Sequence, residues 1–251
     1  MYIDTHTHLY YEKIISQLDD ILNRAKINLV SKIICVGTNL ENSKKCVDLS
    51  KKYDSIFGSV GIHPQDCIVK DKDYLNELEY LSKNKKIVAI GEIGLDYYRD
   101  HTSKKVQRDF FSKQLKLAKK LKLPSIIHCR DSQFDVLDII DDVKNYNVVF
   151  HCYSNDLEFA KKIISKGCLI SFTGNITFGS KHIELLINEI ELSKIMLETD
   201  CPYLSPVPKR GKLNEPSNIP YIAKKIADIK NVSLKEVSRI TTKNAETFFK
   251  I

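Results

Sequence analysis

The chain has 251 residues, a length typical of one (β/α)8 barrel and sufficient for a large hydrophobic core without division into several domains. Hydrophobic residues make up 43% and charged residues 28%, so the composition excludes an intrinsically disordered chain. The formal net charge of +7 suits a polyanionic partner, but most cations are lysines in helix-like segments, where a solvated surface explains them equally well.

Neither a membrane span nor a signal peptide is visible in the sequence. No uncharged stretch reaches the roughly 18 to 20 apolar residues of a span, and Asp4 and His6 interrupt any signal-peptide pattern. The seven cysteines contain no CxxC pair, and most lie in apolar runs, where cysteine behaves as a small hydrophobic residue. We therefore expect a cytoplasmic protein that makes no membrane contact and binds no metal through cysteine.

Short β-branched runs alternate with longer segments of helical period, the pattern of successive β-α units. The eight predicted strands are Tyr2–Thr5, Lys32–Val36, Ser55–Val60, Ile87–Gly91, Ser125–His128, Val148–His151, Cys168–Phe172 and Ile195–Glu198. Predicted helices include Glu12–Ile27, Ser103–Leu121, Ser132–Val143, Tyr221–Ile229 and Leu234–Phe249. Eight such units predict one (β/α)8 TIM barrel domain over residues 1–251, although a doubly wound open sheet would give the same alternation.

The first predicted strand leads into His6-Thr7-His8. Alternation along an extended chain places His6 and His8 on one face, where two imidazoles can bind a single metal ion. In a barrel the carboxyl end of a strand is the catalytic rim. This position favours a metal site over two surface histidines.

Polar side chains recur at the ends of later predicted strands. These residues are His63 after the third strand, Glu92 after the fourth, His128 and His151 ending the fifth and sixth, and Asp200 after the eighth. Singly, each could be a helix cap or a hydrogen-bonded residue of the barrel mouth. Together they predict a metal centre formed by a ring of six ligands, namely His6, His8, Glu92, His128, His151 and Asp200. His101 and His182 lie in helix or loop contexts and are predicted to be surface residues.

The types of side chain in this ring suggest specific roles. A carboxylate in the middle of the ring can bridge two divalent ions, and Glu92 is placed for this role. We predict that Asp200 binds metal and accepts the proton of a metal-activated water, so Glu92 and Asp200 are the candidate catalytic residues. Arg130, next to His128, suits a phosphate oxygen, although an ion pair with Asp131 or another carboxylate is an open alternative.

Several motifs resemble those of the TatD-type metal-dependent deoxyribonucleases, which belong to the metallo-dependent hydrolase superfamily. They are DTHTHL at 4–9, GIHP at 61–64, GEIGLDYY at 91–98, PSIIHCRD at 124–131, FHCYS at 150–154, ETDCPYL at 198–204 and RGKLNEPSNI at 210–219. The resemblance covers almost the whole chain, and its longer motifs are specific.

The resemblance implies hydrolysis of DNA phosphodiester bonds, in the manner of a 3′-to-5′ exonuclease, with two divalent ions as cofactors. The metal that the resemblance implies is Mg2+. Mn2+ and Zn2+ are alternatives, because they also suit imidazole ligands. It assigns the metal ligands to the six ring residues and places His63 near the substrate phosphate. We expect single-stranded DNA or a 3′ end as the partner, and a monomeric protein.

The loop after the last predicted strand carries polar residues close behind Asp200, namely Tyr203, Lys209, Arg210, Lys212 and Asn214. An aromatic ring that stacks on a base, with cations on the flanking phosphates, holds single-stranded nucleic acid without sequence readout. We predict that this loop overhangs the rim and that Tyr203, Lys209 and Arg210 bind DNA. The alternative is that Tyr203 packs under the loop and the cations are only solvated.

Three residues depart from the family pattern. Tyr10 stands where Asp usually follows HxHL, Gln65 where a second His often follows GIHP, and Asn155 where Gly usually occurs. All three flank the predicted ring, so they bear on substrate contacts and loop shape more than on the chemistry.

Two other functions compete with the nuclease. A related barrel hydrolase that cleaves carboxylic esters, amides or aminoacyl esters would use the same metal-activated hydroxide. Relatives of that kind often carry a modified lysine on strand 4 as the metal bridge, and Glu92 at this place favours the nuclease. A nucleic-acid-binding scaffold without activity would require a broken ring, and every ligand position is filled here.

Overall fold

The computed structural model describes residues 1–67, 73–99 and 101–251. Its strands are β1 (Tyr2–Thr7), β2 (Val30–Val36), β3 (Ile56–Val60), β4 (Ile87–Asp96), β5 (Ser125–Arg130), β6 (Val148–Phe150), β7 (Leu169–Phe172) and β8 (Ile195–Leu197). Its α-helices are α1 (Glu12–Ile15), α2 (Leu18–Ile27), α3 (Leu40–Lys52), α4 (Tyr74–Leu81), α5 (Lys104–Leu121), α6 (Gln133–Val143), α7 (Leu157–Ser165), α8 (Lys181–Glu189), α9 (Ile219–Lys230) and α10 (Leu234–Phe249).

The eight strands form one sheet in which they follow each other in chain order from β1 to β8. The pairs β1–β2, β3–β4, β4–β5, β5–β6 and β7–β8 are all parallel. Just beyond β8, a parallel bridge joins Cys201 to Thr7, so the first strand is hydrogen-bonded again after the last. This strand order, with helices between successive strands, is the topology of a (β/α)8 barrel. The predicted fold class is confirmed.

Within the sheet, the chain divides into two compact units. Unit 1 comprises Met1–Cys35, Cys152–Ile164 and Leu169–Ile251, and unit 2 comprises Val36–His151 and Ser165–Cys168. The prediction of a single domain over residues 1–251 stays a prediction.

In unit 1, α10 shows how an amphipathic sequence produces a covering helix. The Ser233 side chain accepts a hydrogen bond from the Glu236 backbone N–H and caps the first turn. Val237, Thr241 and Ala245 follow at four-residue intervals and are buried, so they form one continuous face. This helix packs on β1, which carries His6, and on β8, which ends shortly before Asp200.

In unit 2, α5 packs on β4 and positions two loops through buried glutamines. Gln114 accepts a hydrogen bond from Ile62 N at 2.7 Å and donates one to Ile62 O at 3.1 Å. Gln107 accepts from Asp96 N at 2.9 Å and donates to Asp96 O at 3.0 Å. Each amide therefore satisfies both backbone groups of one residue, which fixes the segments that carry His63 and Asp96.

Several elements differ from their predicted bounds. β4 continues past Gly91 to Asp96, because its later residues pair with β5 from Ile93↔Ile127 to Asp96↔Arg130. Glu92 therefore lies inside the strand rather than after it. The helix predicted over Glu12–Ile27 is in fact two helices, α1 and α2. α9 begins earlier than predicted, since Pro220 occupies the first turn, where its missing N–H is not needed.

Two further properties of the described residues bear on function. None of the helices there combines the length and apolarity that crossing a bilayer requires. All seven cysteines are thiols; Cys129 and Cys152 are partly accessible and the other five are buried. Burial raises the pKa of Cys168 to about 12 and that of Cys201 well above its usual range.

Candidate metal centre

Three predicted ligands converge in unit 1, and we call His6, His8 and Asp200 the β1 cluster. The Nε2 atoms of His6 and His8 lie 3.3 Å apart. Asp200 Oδ1 lies 3.4 Å from His8 Nε2 and 3.8 Å from His6 Nε2. Both histidines are buried, and 14% of the Asp200 side chain is exposed. One ligand atom from each residue thus faces the same point.

The backbone of unit 1 explains this convergence. Asp200 N donates to His6 O at 2.9 Å, and His8 N donates to Cys201 O at 2.8 Å, so the residues after β8 alternate with those at the end of β1. Asp200 has φ +57°, a left-handed conformation that Asp tolerates better than most residues. That turn directs its carboxylate toward the two imidazoles.

A buried carboxylate that sequence reasoning missed supports the β1 cluster. Asp4 accepts hydrogen bonds from Thr199 N at 2.9 Å, from Thr199 Oγ1 at 2.6 Å and from His6 N at 3.4 Å. Burial raises the pKa of Asp4 well above its usual range, even though Thr199 opposes the shift. Asp4 lies two residues before His6, on the same side of β1, and this spacing could have identified it.

The remaining predicted ligands, Glu92, His128 and His151, converge in unit 2 around His63, and we call these four residues the β4 cluster. Glu92 Oε1 lies 2.8 Å from His128 Nδ1, 2.8 Å from His151 Nε2 and 3.5 Å from His63 Nε2. Ligand atoms of His63, Glu92 and His128 all lie within 4.8 Å of one another. His63, which the resemblance places near the substrate phosphate, therefore sits directly beside the predicted bridging carboxylate.

The charges of the β4 cluster depend on each other. Burial disfavours the ionised carboxylate, but His151, His63 and His128 hold the pKa of Glu92 well below its usual range. Burial lowers the pKa of His63 to about 3, against the opposing effect of Glu92. At neutral pH, Glu92 is therefore an anion and His63 a neutral imidazole, as a metal ligand or hydrogen-bonding group requires.

Asp96 is a second carboxylate whose role the sequence did not reveal. Its Oδ2 lies 3.4 Å from His128 Nε2, and its Oδ1 accepts from Tyr98 N at 3.0 Å and Arg99 N at 3.1 Å. The side chain is 1% exposed. Asp96 follows Glu92 by four residues along β4, so strand alternation would have placed both on the same face.

The donor types of both clusters suit a divalent cation. In the β4 cluster, Glu92 Oε1 lies 2.8 Å from both His128 Nδ1 and His151 Nε2, which is a hydrogen-bond distance, whereas the spacing of the β1 cluster suits a single bound ion. Donors that bind one ion at about 2.0 to 2.2 Å lie about 3 to 3.5 Å from each other in octahedral or tetrahedral arrangements. The separations of 3.3 and 3.4 Å in the β1 cluster lie in this range, and that of 3.8 Å is slightly above it. Imidazole nitrogens with carboxylate oxygens are a donor set that suits Zn2+, Mn2+ or Mg2+.

The predicted substrate residues other than His63 are exposed or partly exposed. In unit 2, the Arg130 guanidinium stacks on the Tyr98 ring at 3.8 Å from its centroid. In unit 1, Tyr203 is 50% exposed, and its ring lies 6.4 Å from that of His8. Half of Tyr203 is thus accessible to a ligand, and its role in DNA binding stays a prediction. Lys209 is partly exposed, and Arg210 is exposed with its guanidinium over Phe178 at 4.4 Å.

Asn214 corrects one expectation about the loop after β8. It is completely buried, and its Nδ2 donates to Thr199 O at 2.9 Å and Tyr203 O at 2.5 Å. Asn214 therefore ties the loop to the segment that carries Asp200 and does not overhang the rim. An amide is suited to this work because it can bond several backbone groups at once.

Two of the three departures from the family pattern make contacts inside the clusters. Tyr10 Oη lies 3.0 Å from His8 Nδ1. The Gln65 side chain donates to Asp96 O at 3.2 Å, and its backbone N–H donates to His63 Nδ1 at 3.1 Å. The third, Asn155, has its backbone carbonyl 3.3 Å from His182 Nε2 on the surface. His101 and His182 are exposed, as predicted.

Comparison with known proteins gives a consistent result over the whole chain. The model of the family described as TatD related DNase matches residues 3–250. The uncharacterized metal-dependent hydrolase YabD of Bacillus subtilis is 37% identical over 254 residues, which cover 100% of both chains. The uncharacterized metal-dependent hydrolase YcfH of Escherichia coli K12 is 33% identical, with 99% of this chain and 96% of YcfH covered.

A solved structure agrees with the sequence comparisons. The crystal structure of YJJV, a TatD homologue from Escherichia coli K12, has a TM-score of 0.92 to this chain at 28% identity. The match covers 100% of this chain and 98% of YJJV. The resemblance noted from the motifs is thus confirmed. The chain belongs to the TatD-related DNase family and is a metal-dependent hydrolase.

Proposed function

We propose that this hydrolase is a deoxyribonuclease that cleaves DNA phosphodiester bonds from the 3′ end. The observation that carries the proposal is the pair of histidine–carboxylate clusters in a chain that a DNase family model matches over residues 3–250. The arrangement is suited to phosphoryl transfer, which requires cations close to the attacking and leaving oxygens.

The proposal assigns one divalent ion to each cluster. His6, His8 and Asp200 would hold the first, and Glu92, His128 and His151 the second, with Mg2+ as the expected metal and Mn2+ or Zn2+ as substitutes. Such ions supply Lewis acidity, which lowers the pKa of water and stabilises charge on phosphoryl oxygens. The bridging role of Glu92 stays a prediction, and its low pKa supports it because a bridging carboxylate must be ionised.

The chain's own residues supply proton transfer and substrate positioning. Asp200 directs Oδ1 toward the histidines, so its second oxygen can accept the proton of the attacking water. His63 is neutral at physiological pH, so its imidazole can donate one hydrogen bond to a phosphate oxygen. Arg130, held against Tyr98, presents the edge of its guanidinium as a charged donor for a second oxygen.

The exposed loop after β8 supports single-stranded DNA as the substrate. Tyr203 offers an exposed ring for base stacking, and Lys209 and Arg210 offer cations for phosphates. Replacing Lys209 and Arg210 by Ala should weaken DNA binding to a similar degree for all sequences and reduce its salt dependence, because fewer counterions are released. Binding of a short single strand to a catalytically inactive variant, measured at several salt concentrations, tests this; an unchanged slope would remove the loop from the DNA site.

The decisive experiment is digestion of single- and double-stranded DNA labelled at either end. Metal-free protein should be inactive, and Mg2+ or Mn2+ should restore activity that shortens strands from the 3′ end. Glu92→Gln tests the role of Glu92. The variant should keep its fold but lose activity by more than about 100-fold, since even changes to residues that only contact a metal ligand cost about 10- to 100-fold. Wild-type activity in Glu92→Gln would refute the assignment of Glu92.

The same preparation distinguishes the proposal from the competing hydrolase. A protein that leaves all DNA intact with each of the three metals, but cleaves carboxylic or aminoacyl esters when metal is present, would contradict the nuclease. Internal cuts in circular single-stranded DNA would instead contradict the exonuclease mode.

A further inference from the structure

Tyr10 makes a contact that the catalytic assignment does not use. Its Oη lies 3.0 Å from Nδ1 of His8, and the residues are 7% and 5% exposed. The two rings meet nearly edge-on, with centroids 5.8 Å apart and planes at 67°. The phenol hydroxyl is therefore a specific buried partner of this imidazole rather than a surface group near it.

The other nitrogen of His8 determines which group donates in this bond. His8 Nε2 faces His6 Nε2 at 3.3 Å and Asp200 Oδ1 at 3.4 Å, so Nε2 is the atom directed into the β1 cluster. A neutral imidazole that binds a cation through Nε2 carries its proton on Nδ1. His8 Nδ1–H then donates and Tyr10 Oη accepts.

We propose that Tyr10 is the positioning residue of the β1 cluster: it fixes the tautomer and ring orientation of His8 and thereby sets the cluster's affinity for a divalent cation. Outer-shell partners of metal-binding histidines commonly act in this way. The inference rests on the metal centre of the proposed function, but not on the identity of the substrate.

The chemistry of the partner determines the strength of the hydrogen bond to His8. The partner in this chain, Tyr10, is a neutral phenol. A carboxylate accepts a stronger, charge-assisted hydrogen bond and makes the imidazole more basic. The β1 cluster should therefore bind a divalent ion more weakly with Tyr10 than with Asp at this position.

Metal affinity tests the proposal directly. Zn2+ is titrated into metal-free protein by calorimetry in a His128→Ala background, which disables the β4 cluster and leaves the β1 cluster to be measured. Tyr10→Phe keeps the ring and removes only the acceptor, and it should weaken Zn2+ binding by about 10- to 100-fold. Tyr10→Asp should bind Zn2+ more tightly than the parent, because its carboxylate is the stronger acceptor.

Tyr11→Phe is the matched control. It removes the same hydroxyl from the next residue, whose ring also contacts that of His8, at 5.9 Å between centroids. Zn2+ affinity in this variant should equal that of the parent. Parent-like affinity in Tyr10→Phe, or an equal loss in Tyr11→Phe, would overturn the proposal.

Nitrogen-15 NMR of the histidine side chains provides a readout that general destabilisation would not move. In the Zn2+-loaded parent, His8 should show the Nδ1–H tautomer with a slowly exchanging proton, and in Tyr10→Phe this proton should exchange rapidly. The opposite tautomer in the parent would refute the proposal. Both measurements are made without DNA, so a protein with no nuclease activity would refute the proposed function while leaving the role of Tyr10 to be decided by metal binding.

Discussion

Asp200 shows how much depends on a single side chain. It combines a left-handed backbone conformation with an oxygen that faces two imidazoles, and enough exposure to reach a water molecule. Its two proposed roles, metal binding through the oxygen that faces the histidines and acceptance of a proton, can be separated by an isosteric substitution.

Asp200→Asn should lower the turnover rate by about 100- to 10,000-fold while the protein keeps much of its metal. The amide oxygen can still bind a cation weakly, but the amide cannot accept a proton from water. Turnover at saturating metal and metal content by elemental analysis measure the two effects. Asp131→Asn is the control, because Asp131 has a similar φ of +51° but is exposed and outside both clusters. Full activity in Asp200→Asn would rule out this residue as the base.

The limits of sequence reasoning are visible at individual residues. The histidines could be identified because they end predicted strands. Alternation places Asp4 and Asp96 on the same strand faces as His6 and Glu92, but it does not reveal that these two carboxylates are buried. His63 was assigned to the substrate, and the structure places it 3.5 Å from Glu92. That proximity depends on Gln114, which holds the backbone of Ile62 from a distant helix.

At the scale of elements, Gly94 explains how β4 and β5 approach closely enough to align Glu92 with His128. Gly94 has φ +140°, and a Cβ there would lie 2.0 Å from His128 O. A side chain at this position would therefore collide with backbone that cannot move without displacing a predicted ligand.

Gly94→Ala should lower the free energy of unfolding by more than about 3 kcal/mol, since it combines a steric clash with an unfavourable backbone conformation. Gly167→Ala provides the comparison, because Gly167 has φ +96° but nothing within 4 Å of the added Cβ. It should cost only about 1 to 2 kcal/mol, from conformation alone. Urea unfolding of both variants measures the difference, and equal losses would contradict the steric argument.

The ion pair of Arg24 and Glu215 connects α2 to the loop that precedes α9. Arg24 Nε lies 2.9 and 3.0 Å from the two Glu215 oxygens, and Nη2 lies 2.6 Å from Oε2. Although burial opposes ionisation, Arg24 and Ser217 lower the pKa of Glu215 below 4.5. The ion pair therefore stabilises the folded protein above pH 4.5, the ordinary pKa of Glu. This stabilisation is lost as the pH falls through the lowered pKa of Glu215 in the folded protein.

Arg24→Met should cost about 0.5 to 1 kcal/mol at neutral pH, a modest value because the guanidinium is partly exposed. The cost should shrink at an acidic pH below 4.5, because the stabilisation is lost as the pH falls through the lowered pKa of Glu215 in the folded protein. Arg24→Lys keeps the charge but not the bidentate contact. Its free energy of unfolding should lie between those of the wild-type protein and Arg24→Met. Unfolding free energies at both pH values decide the matter; a cost that grows on acidification would show that the pair is not its source.

Element boundaries were less predictable than element types. Alternating β-branched runs identified all eight strands, yet the second half of β4 was missed because its glycines and acids are typical of loops. Its extended conformation comes from pairing with β5, which is a tertiary effect. α10 matched its prediction because its cap and apolar spacing are local signals.

For the whole molecule, the two clusters imply that metal contributes to stability as well as to chemistry. A ligand that binds only the folded state at 100 times its Kd stabilises it by about 2.7 kcal/mol. At about 2 to 4 °C per kcal/mol for a chain of this size, Mg2+ or Mn2+ should raise Tm by about 5 to 11 °C over chelator-treated protein. A matched concentration of Na+ is the control in the same calorimetric scan. An unchanged Tm at saturating divalent metal would contradict the metal centre.

The positions of two thiols provide built-in reporters of the β4 cluster. Within residues 1–67, 73–99 and 101–251, Cys129 and Cys152 are the only partly accessible thiols, and each directly follows a predicted ligand, His128 or His151. The raised pKa values of Cys168 and Cys201 leave these buried sulfurs protonated and slow to alkylate. A maleimide probe should therefore label next to the ligands first. Electrophiles and oxidants should likewise react first beside these two predicted metal ligands.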